Sequence, residues 1–169
     1  MNILAGKYKG HKIRTIRHAS YRPTQTRVRK SLFDILGDIE QYSVLDLFSG
    51  SGILGFEAAS RGAASITFVE KNGTAVKLLQ ENKCRFKSSV FNIFRQDAFR
   101  FLESCDEFDL IMADPPYELY SLSPLVEICV SKLKPNGTFV LETHASDTTI
   151  SGLREKKYGD TKLIFWGLS

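Results

Sequence analysis

The chain has 169 residues, of which 43% are hydrophobic and 25% charged, and its formal net charge is +4. This size and composition predict one globular domain that buries enough surface to fold without a metal or a disulfide. Three scattered cysteines, never in a CxxC pair, argue against a disulfide framework and a zinc site, and no apolar run is long enough for a signal peptide or a membrane helix, so a cytoplasmic protein is expected.

The first 30 residues form a strongly basic segment. They contain nine Lys and Arg and no Asp or Glu, whereas the rest of the chain contains 14 basic and 19 acidic side chains. A basic arm on a mildly acidic body is typical of a protein that binds a polyanion such as nucleic acid. The alternative is a solvated surface segment. We take Lys7, Lys9 and Lys12 as the predicted nucleic-acid contacts of this arm.

The chain then predicts alternating elements. Residues 3–13 favour a hairpin, and a helix follows from Thr24, which can cap it. Five strands alternate with helices, and the tail favours two strands around a Gly159-Asp160 turn. This alternation predicts a parallel sheet with helices on both faces. Strands are predicted at 43–48, 65–70, 90–96, 108–113 and 138–143, and helices at 53–62, 72–86, 97–104 and within 121–133, the last ended by "KPNG".

A glycine turn, "LDLFSGSG", ends the first strand of the alternation. Ligands of open parallel sheets bind at the carboxyl ends of the strands. Gly50 and Gly52 allow the backbone to approach a ligand, and the next helix presents its N-terminus there. A GxG pattern alone is equally consistent with a tight turn. Other residues at the strand ends must therefore distinguish a ligand-binding loop from a simple turn.

Two acids follow the next two strands. Glu70 ends the second strand, where a carboxylate suits ribose hydroxyls, and Asp97 follows the third, where a side chain can meet an adenine edge. The alternative for each acid is a helix cap. Glycines and acids at three successive strand ends together predict a ligand that contains adenosine.

The acid inside the first strand distinguishes between two adenosine ligands. "GSGILG" formally matches the GxGxxG pattern of NAD sites, but Asp46 lies four residues before the turn. A carboxylate disfavours a nearby pyrophosphate and suits an ammonium group. The sequence therefore favours S-adenosylmethionine over NAD.

The stretch "DLIMADPPYELY" places Asp114, Pro115, Pro116 and Tyr117 at the exit of the fourth strand. Prolines fix the backbone and remove N–H donors, so the turn presents acceptors: the Asp114 carboxylate and the Pro115 carbonyl. Two adjacent acceptors match a planar exocyclic amine, and Tyr117 can stack on the base that carries it. We interpret this motif as a methyl-acceptor site, against the alternative of a proline-stiffened strand exit.

Four motifs carry a resemblance to a known family. "DPPY" resembles the motif of nucleic-acid amino-methyltransferases, and "LDLFSGSG" resembles their S-adenosylmethionine loop. "LAGKYKGHKI" followed by "RPTQTRVRKSLF" is similar to the bacterial RsmD family of 16S ribosomal RNA guanine-N2 methyltransferases. The likeness covers residues 1 to 166, although "AGKYKG" stands where relatives more often have paired glycines and an arginine.

The resemblance implies a Rossmann-like class I methyltransferase fold with a seven-stranded mixed sheet in the order 3-2-1-4-5-7-6 and an N-terminal β-hairpin extension. It also implies that S-adenosylmethionine is the cofactor, that no metal takes part, and that residues 114–117 hold a flipped guanine. Asp46, Gly50 and Gly52 are then expected at the methionine end, Glu70 at the ribose and Asp97 at the adenine, together with their neighbours Phe48, Ser51, Lys71 and Ala98. Arg22, Thr24 and Arg27 match the family's RPTxxR and are expected to border the active site on the RNA side.

These expectations define the function to be tested. Residues 1–22 form a basic RNA-contacting arm and residues 23–169 a methyltransferase domain, in one compact unit expected to be a monomer. The expected substrate is ribosomal RNA within a small subunit or an assembly intermediate, with no membrane partner. Three alternatives remain: an adenine-N6 methyltransferase of DNA or RNA, a nucleotide-binding oxidoreductase, and a non-catalytic RNA-binding assembly factor.

Overall fold

The computed structural model describes residues 1–15, 26–87, 89–116, 122–147 and 152–167. The strands are β1 (Ser43–Leu47), β2 (Ser65–Val69), β3 (Val90–Phe94), β4 (Phe108–Ala113), β5 (Leu133–His144), β6 (Arg154–Tyr158) and β7 (Thr161–Trp166). The helices are α1 (Thr26–Leu36), α2 (Ile53–Ser60), α3 (Gly73–Lys83), α4 (Ala98–Leu102) and α5 (Leu122–Ser131). Within this part of the chain no helix is long and apolar enough to cross a membrane.

The seven strands form one sheet in the order β3-β2-β1-β4-β5-β7-β6, which confirms the predicted order. β1 to β5 pair in parallel, and β7 pairs antiparallel with both β5 and β6. The carboxyl ends of β2, β1, β4 and β5 therefore lie side by side along one end of the sheet. The predicted acids and glycines lie at these strand ends.

Helices cover both faces of the sheet, as predicted. One core contains residues of α1, α2 and α3 and the N-terminal segment, with the stacked rings of Phe56 and Phe86 at 4.6 Å between centroids. The other core contains residues of α4 and α5, including Phe101 and Leu125. Burial of β1 on both faces explains its continuous apolar run around Asp46.

Helix α5 ends at Ser131, just before "KPNG" as predicted, but the predicted start of the fifth strand at residue 138 is wrong, because β5 begins at Leu133 and includes these residues. Phe108 pairs with Leu133 whereas Leu110 pairs with Thr138, so the extra residues form an irregularity in the ladder. Lys134 Nζ lies 2.9 Å from Asp109 Oδ2 there. Residues with a strong turn preference lie within β5 because the strand pairs with β4 both before and after them.

The N-terminal segment folds back on itself, but as turns with one antiparallel bridge between Asn2 and Lys12, not as two regular strands. It packs on α2, where Glu57 accepts the backbone N–H groups of Leu4 at 2.8 Å and Ala5 at 3.1 Å. Ile3 and Ile13 belong to the core of the sheet. The predicted boundary at residue 22 and the capping of α1 by Thr24 lie outside the described residues.

Candidate active site

The glycine loop after β1 contains a run of left-handed backbone positions. Phe48, Gly50 and Gly52 have φ of 57°, 51° and 76°. The buried Ser49 ties this loop to β2: its hydroxyl donates to the Asp46 carbonyl at 2.5 Å and accepts the Val69 N–H at 3.0 Å. Gly50 and Gly52 therefore use the freedom of glycine at positive φ. The hydrogen bond of Ser49 to Val69 fixes the loop against β2.

Gly52 and Gly55 also allow α2 to pack closely on its neighbours. A Cβ added to Gly52 would lie 2.4 Å from a Leu79 methyl carbon, and one added to Gly55 would lie 2.3 Å from the Phe68 ring. The third glycine of the formal GxGxxG match is therefore required by helix–sheet packing, which gives it a structural reason independent of any dinucleotide.

Asp46 is a buried carboxylate directly beneath the glycine loop. Its side chain is 2% exposed, and Oδ2 accepts the Gly55 N–H at 2.9 Å. Burial raises the pKa of Asp46 to about 8; the Gly55 hydrogen bond opposes that rise, and the charge of Glu70 adds to it. The site therefore stabilises the ionised form of Asp46 best when a cation is bound beside it.

Glu70 links the end of β2 to the glycine loop. Its carboxylate accepts the backbone N–H of Gly50 at 2.9 Å and that of Asn72 at 2.8 Å. Asn72, not Glu70, is the side chain that caps α3. Glu70 thus lies at the predicted pocket, and its contact with ribose stays a prediction.

Asp97 caps α4, accepting the N–H groups of Phe99 at 3.0 Å and Arg100 at 3.4 Å. The helix cap that sequence reasoning kept as the alternative for this residue is thus present, and a contact with adenine stays a prediction. Its neighbour Ala98 is buried in the second core.

The other three predicted cofactor residues lie around the same loop. Ser51 is buried, and its carbonyl accepts a hydrogen bond from Asn82 Nδ2 at 3.4 Å. Phe48 is partly buried against the second core, and Lys71 is exposed just after Glu70.

Asp114 leaves β4 beside Asp46. Met112 pairs with Asp46 on one side and Val140 on the other, so the turn after β4 emerges between β1 and β5. Pro115 is buried and Pro116 exposed, and Tyr117 lies outside the described residues. The pKa of the Asp114 carboxyl group is raised well above its usual range, first by burial and then by the charges of Glu142 and Asp46.

Glu142 is a site residue that sequence reasoning missed. It is 5% exposed on β5, one residue beyond the Leu141–Ala113 pair, which places it next to Asp114. In the sequence it stands within the apolar run "TFVLETH", which indicates only a buried strand. Sheet pairing makes it the fourth carboxylate on adjacent strands at this site, after Glu70, Asp46 and Asp114.

Of the predicted RNA-side residues, the structure describes Lys7, Lys9, Lys12 and Arg27. Lys7, Lys9 and Lys12 are exposed, and the Lys7 N–H binds the carbonyl of Ser60, the last residue of α2, at 2.7 Å. The glycine loop lies at the other end of that helix, roughly 12 Å away along its axis. Arg27 is exposed in the first turn of α1, and Arg22 and Thr24 lie outside the described residues.

The site as a whole is acidic, since Asp46, Glu70, Asp114 and Glu142 converge on the carboxyl ends of four adjacent strands. These four carboxyl groups would attract a cationic ligand and repel a pyrophosphate. Among the described residues, no group of His, Cys, Asp and Glu has the arrangement needed to hold a metal ion.

Comparison with known proteins agrees with this architecture. A family model described as "Conserved hypothetical protein 95" matches residues 1–167. The chain is 32% identical over 172 residues to the "Ribosomal RNA small subunit methyltransferase D" of Haemophilus influenzae, covering 94% of this chain and 89% of that protein. It is also 32% identical to the "Putative rRNA methyltransferase YlbH" of Bacillus subtilis, covering 84% of this chain and 82% of that one.

A solved structure shows the same fold. The "Putative methyltransferase yhhF from Escherichia coli" superimposes with a TM-score of 0.84 at 27% identity, covering 98% of this chain and 96% of that one. The likeness therefore includes the N-terminal segment as well as the sheet and its helices.

Proposed function

The chain belongs to the RsmD family, the family behind the "Conserved hypothetical protein 95" model, and on that premise we propose that it transfers a methyl group from S-adenosylmethionine to the exocyclic N2 amine of a guanine in small-subunit ribosomal RNA. The name of the Haemophilus influenzae relative supports small-subunit ribosomal RNA as the substrate. The resemblance of the motifs to the family supports the guanine amine as the methyl acceptor. The geometry of the strand ends supports the chemistry.

One observation carries the proposal: the Asp114-Pro115 turn opens beside the glycine loop and Asp46. Asp114 and the Pro115 carbonyl are acceptors at the same turn, and Pro115 has no N–H to compete with them. Such a pair can accept both hydrogens of a planar –NH2 group. A base amine held there would lie at the edge of the pocket that the glycine loop and Asp46 define.

The cofactor pocket fits S-adenosylmethionine because the ligand is cationic and the site is acidic. Asp46 would hold the ammonium group, the Gly50 backbone would approach the methionine portion, and Glu70 would hold the ribose. When bound, S-adenosylmethionine supplies the methyl group as an electrophile on its sulfonium. A positive charge beside Asp46 and Asp114 lowers the pKa of both carboxyls and so favours their ionised, accepting forms.

Asp114 and Pro115 then position the acceptor nitrogen. The lone pair of a guanine amine is delocalised into the ring, and hydrogen bonds from both its hydrogens fix the direction in which that lone pair points. Positioning of this kind is worth roughly 7–11 kcal/mol in well-oriented reactions. After transfer the nitrogen carries an extra proton, which Asp114 or a water molecule accepts.

The test is methyl transfer from labelled S-adenosylmethionine to small-subunit particles that lack the modification, and to DNA, followed by mass analysis of the nucleosides. N2-methylguanosine from the particles is the expected product. N6-methyladenine would keep the pocket and replace the substrate. Cofactor binding without transfer to any RNA would overturn the enzymatic proposal and favour an RNA-binding assembly factor, and binding of NAD in place of S-adenosylmethionine would favour an oxidoreductase.

A further inference from the structure

The segment that follows α3 packs against the N-terminal basic hairpin. Arg85 Nη1 donates to the Lys12 carbonyl at 2.8 Å, and the Lys87 N–H donates to the Tyr8 hydroxyl at 2.8 Å. Between these contacts Phe86 is buried, with its ring 4.7 Å from that of Tyr8. Two segments far apart in sequence thus share one surface.

This surface concentrates positive charge. Its five exposed cations, which we call the basic face, are Lys7, Lys9, Lys12, Arg85 and Lys87. The two segments that form it, residues 1–15 and 84–87, contain no Asp or Glu. The nearby acid Glu81 is paired with Arg14 at 3.0 Å.

Two members of the basic face, Lys7 and Lys87, lie on the side of the sheet where the parallel strands begin. Lys87 stands three residues before β3, and β3 begins level with the start of β2. Lys7 binds Ser60, at the end of α2 that leads into β2. Asp114, in contrast, follows the last residue of β4. A five-residue strand spans about 17 Å, so Lys7 and Lys87 are separated from Asp114 by roughly the length of a strand.

We propose that the basic face binds the phosphate backbone of the RNA substrate away from the target base, with Arg85 and Lys87 as phosphate contacts beside the hairpin lysines. This inference rests on the proposed function, because it takes RNA as the substrate. Arg85 is suited to the role, since its bond to Lys12 uses one of the five N–H donors of a guanidinium and a phosphate can accept from others. Charge and exposure favour RNA over an acidic protein, because phosphates offer a regular line of anions for spaced cations.

The experiment measures the affinity of a protein-free small-subunit RNA fragment for the wild type and for Arg85→Gln/Lys87→Gln over a series of salt concentrations. The loss of two phosphate contacts lowers the slope of log K against log salt by about 1.4–1.8. Because Arg85 and Lys87 are not among the residues of the proposed active site, kcat at saturating RNA should stay the same while KM rises. Thermal melting checks that loss of the Arg85–Lys12 bond leaves the protein folded.

Lys156→Gln/Lys157→Gln is the matched control, since both lysines are exposed on β6, at the opposite edge of the sheet from β3. It removes the same charge and should leave the salt slope unchanged. Equal effects of the two pairs would show a non-specific response to net charge and overturn the inference, as would an unchanged slope for the Arg85/Lys87 pair or weakened binding only to protein-containing particles. If the wild type transfers no methyl group but its RNA binding still depends on the basic face, this inference stands and the proposed reaction does not.

Discussion

The side chain of Asn82 holds the backbone of Arg14 from both sides. Its Oδ1 accepts the Arg14 N–H at 3.0 Å, and its Nδ2 donates to the Arg14 carbonyl at 3.1 Å. The same Nδ2 lies 3.4 Å from the carbonyl of Ser51 in the glycine loop. One fully buried amide therefore joins the exit of the basic hairpin to the loop of the proposed cofactor site.

Replacing this amide tests its structural role. Asn82→Ala removes two partly buried hydrogen bonds to the Arg14 backbone, each worth about 0.5–1.5 kcal/mol, so the free energy of unfolding should fall by about 1–3 kcal/mol. Urea unfolding measures the change, and Asn92→Ala, at an exposed position on β3, should alter stability by less than about 0.5 kcal/mol. Equal stabilities of the two variants would show that the Asn82 bonds contribute nothing net.

Asp114→Asn separates chemistry from cofactor binding. Asparagine keeps one acceptor but loses the charge and the capacity to take a proton, so kcat/KM for methyl transfer should fall by about 10²–10⁴. The affinity for S-adenosylmethionine, measured by calorimetry, should change little, and the exposed Asp106→Asn serves as the control. Full activity of Asp114→Asn would remove this residue from the mechanism.

The raised pKa of Asp46 predicts how stability depends on pH. Between the unfolded value near 3.8 and the folded value of about 8, the folded state holds a proton that the unfolded state has lost. The free energy of unfolding therefore falls as pH rises through this window. Asp46→Asn removes the effect, so the variant should be more stable than the wild type at pH 8 by more than about 1 kcal/mol, and the difference should shrink towards pH 4.

Thermal unfolding of both proteins across pH 4–8 measures this difference. A gap that stays constant with pH would mean that Asp46 titrates alike in the folded and unfolded chains. Addition of S-adenosylmethionine to the wild type should release protons in the same range, detectable as a buffer-dependent heat of binding, since a bound cation favours the carboxylate.

Glu57 anchors the N-terminal segment to α2. The fully buried carboxylate accepts Leu4 and Ala5 N–H groups, pairs with Arg61 at 2.9 Å and lies 3.7 Å from the buried Arg29. Glu57→Leu leaves the Arg29 charge uncompensated, so the free energy of unfolding should fall by about 3–5 kcal/mol. Amide hydrogen exchange at Leu4 and Ala5 should accelerate more than exchange in β4, and equal acceleration at both places would contradict a specific anchoring role.

The alternation of strands and helices, the glycine loop, and the acids at successive strand ends can all be recognised in the amino-acid sequence. These features are readable because apolar periodicity and turn residues act over a few neighbouring positions. The predicted helix boundaries differ from the observed ones by at most three residues. The length of β5 was underestimated because pairing with β4 overrode the turn composition of "KPNG". The strand order came from resemblance to a family, since periodicity carries no information on which strands pair.

Three relationships depend on the packed fold: Glu142 lies beside Asp114, Asn82 bonds Arg14, and Arg85 and Lys87 contact the basic hairpin. In the sequence these residues stand in an ordinary strand, an ordinary helix and an ordinary loop. Their neighbours are chosen by sheet pairing and by burial of the N-terminal segment against α2 and α3. Contacts between distant segments depend on the free energy of the whole packed chain, so no local pattern records them.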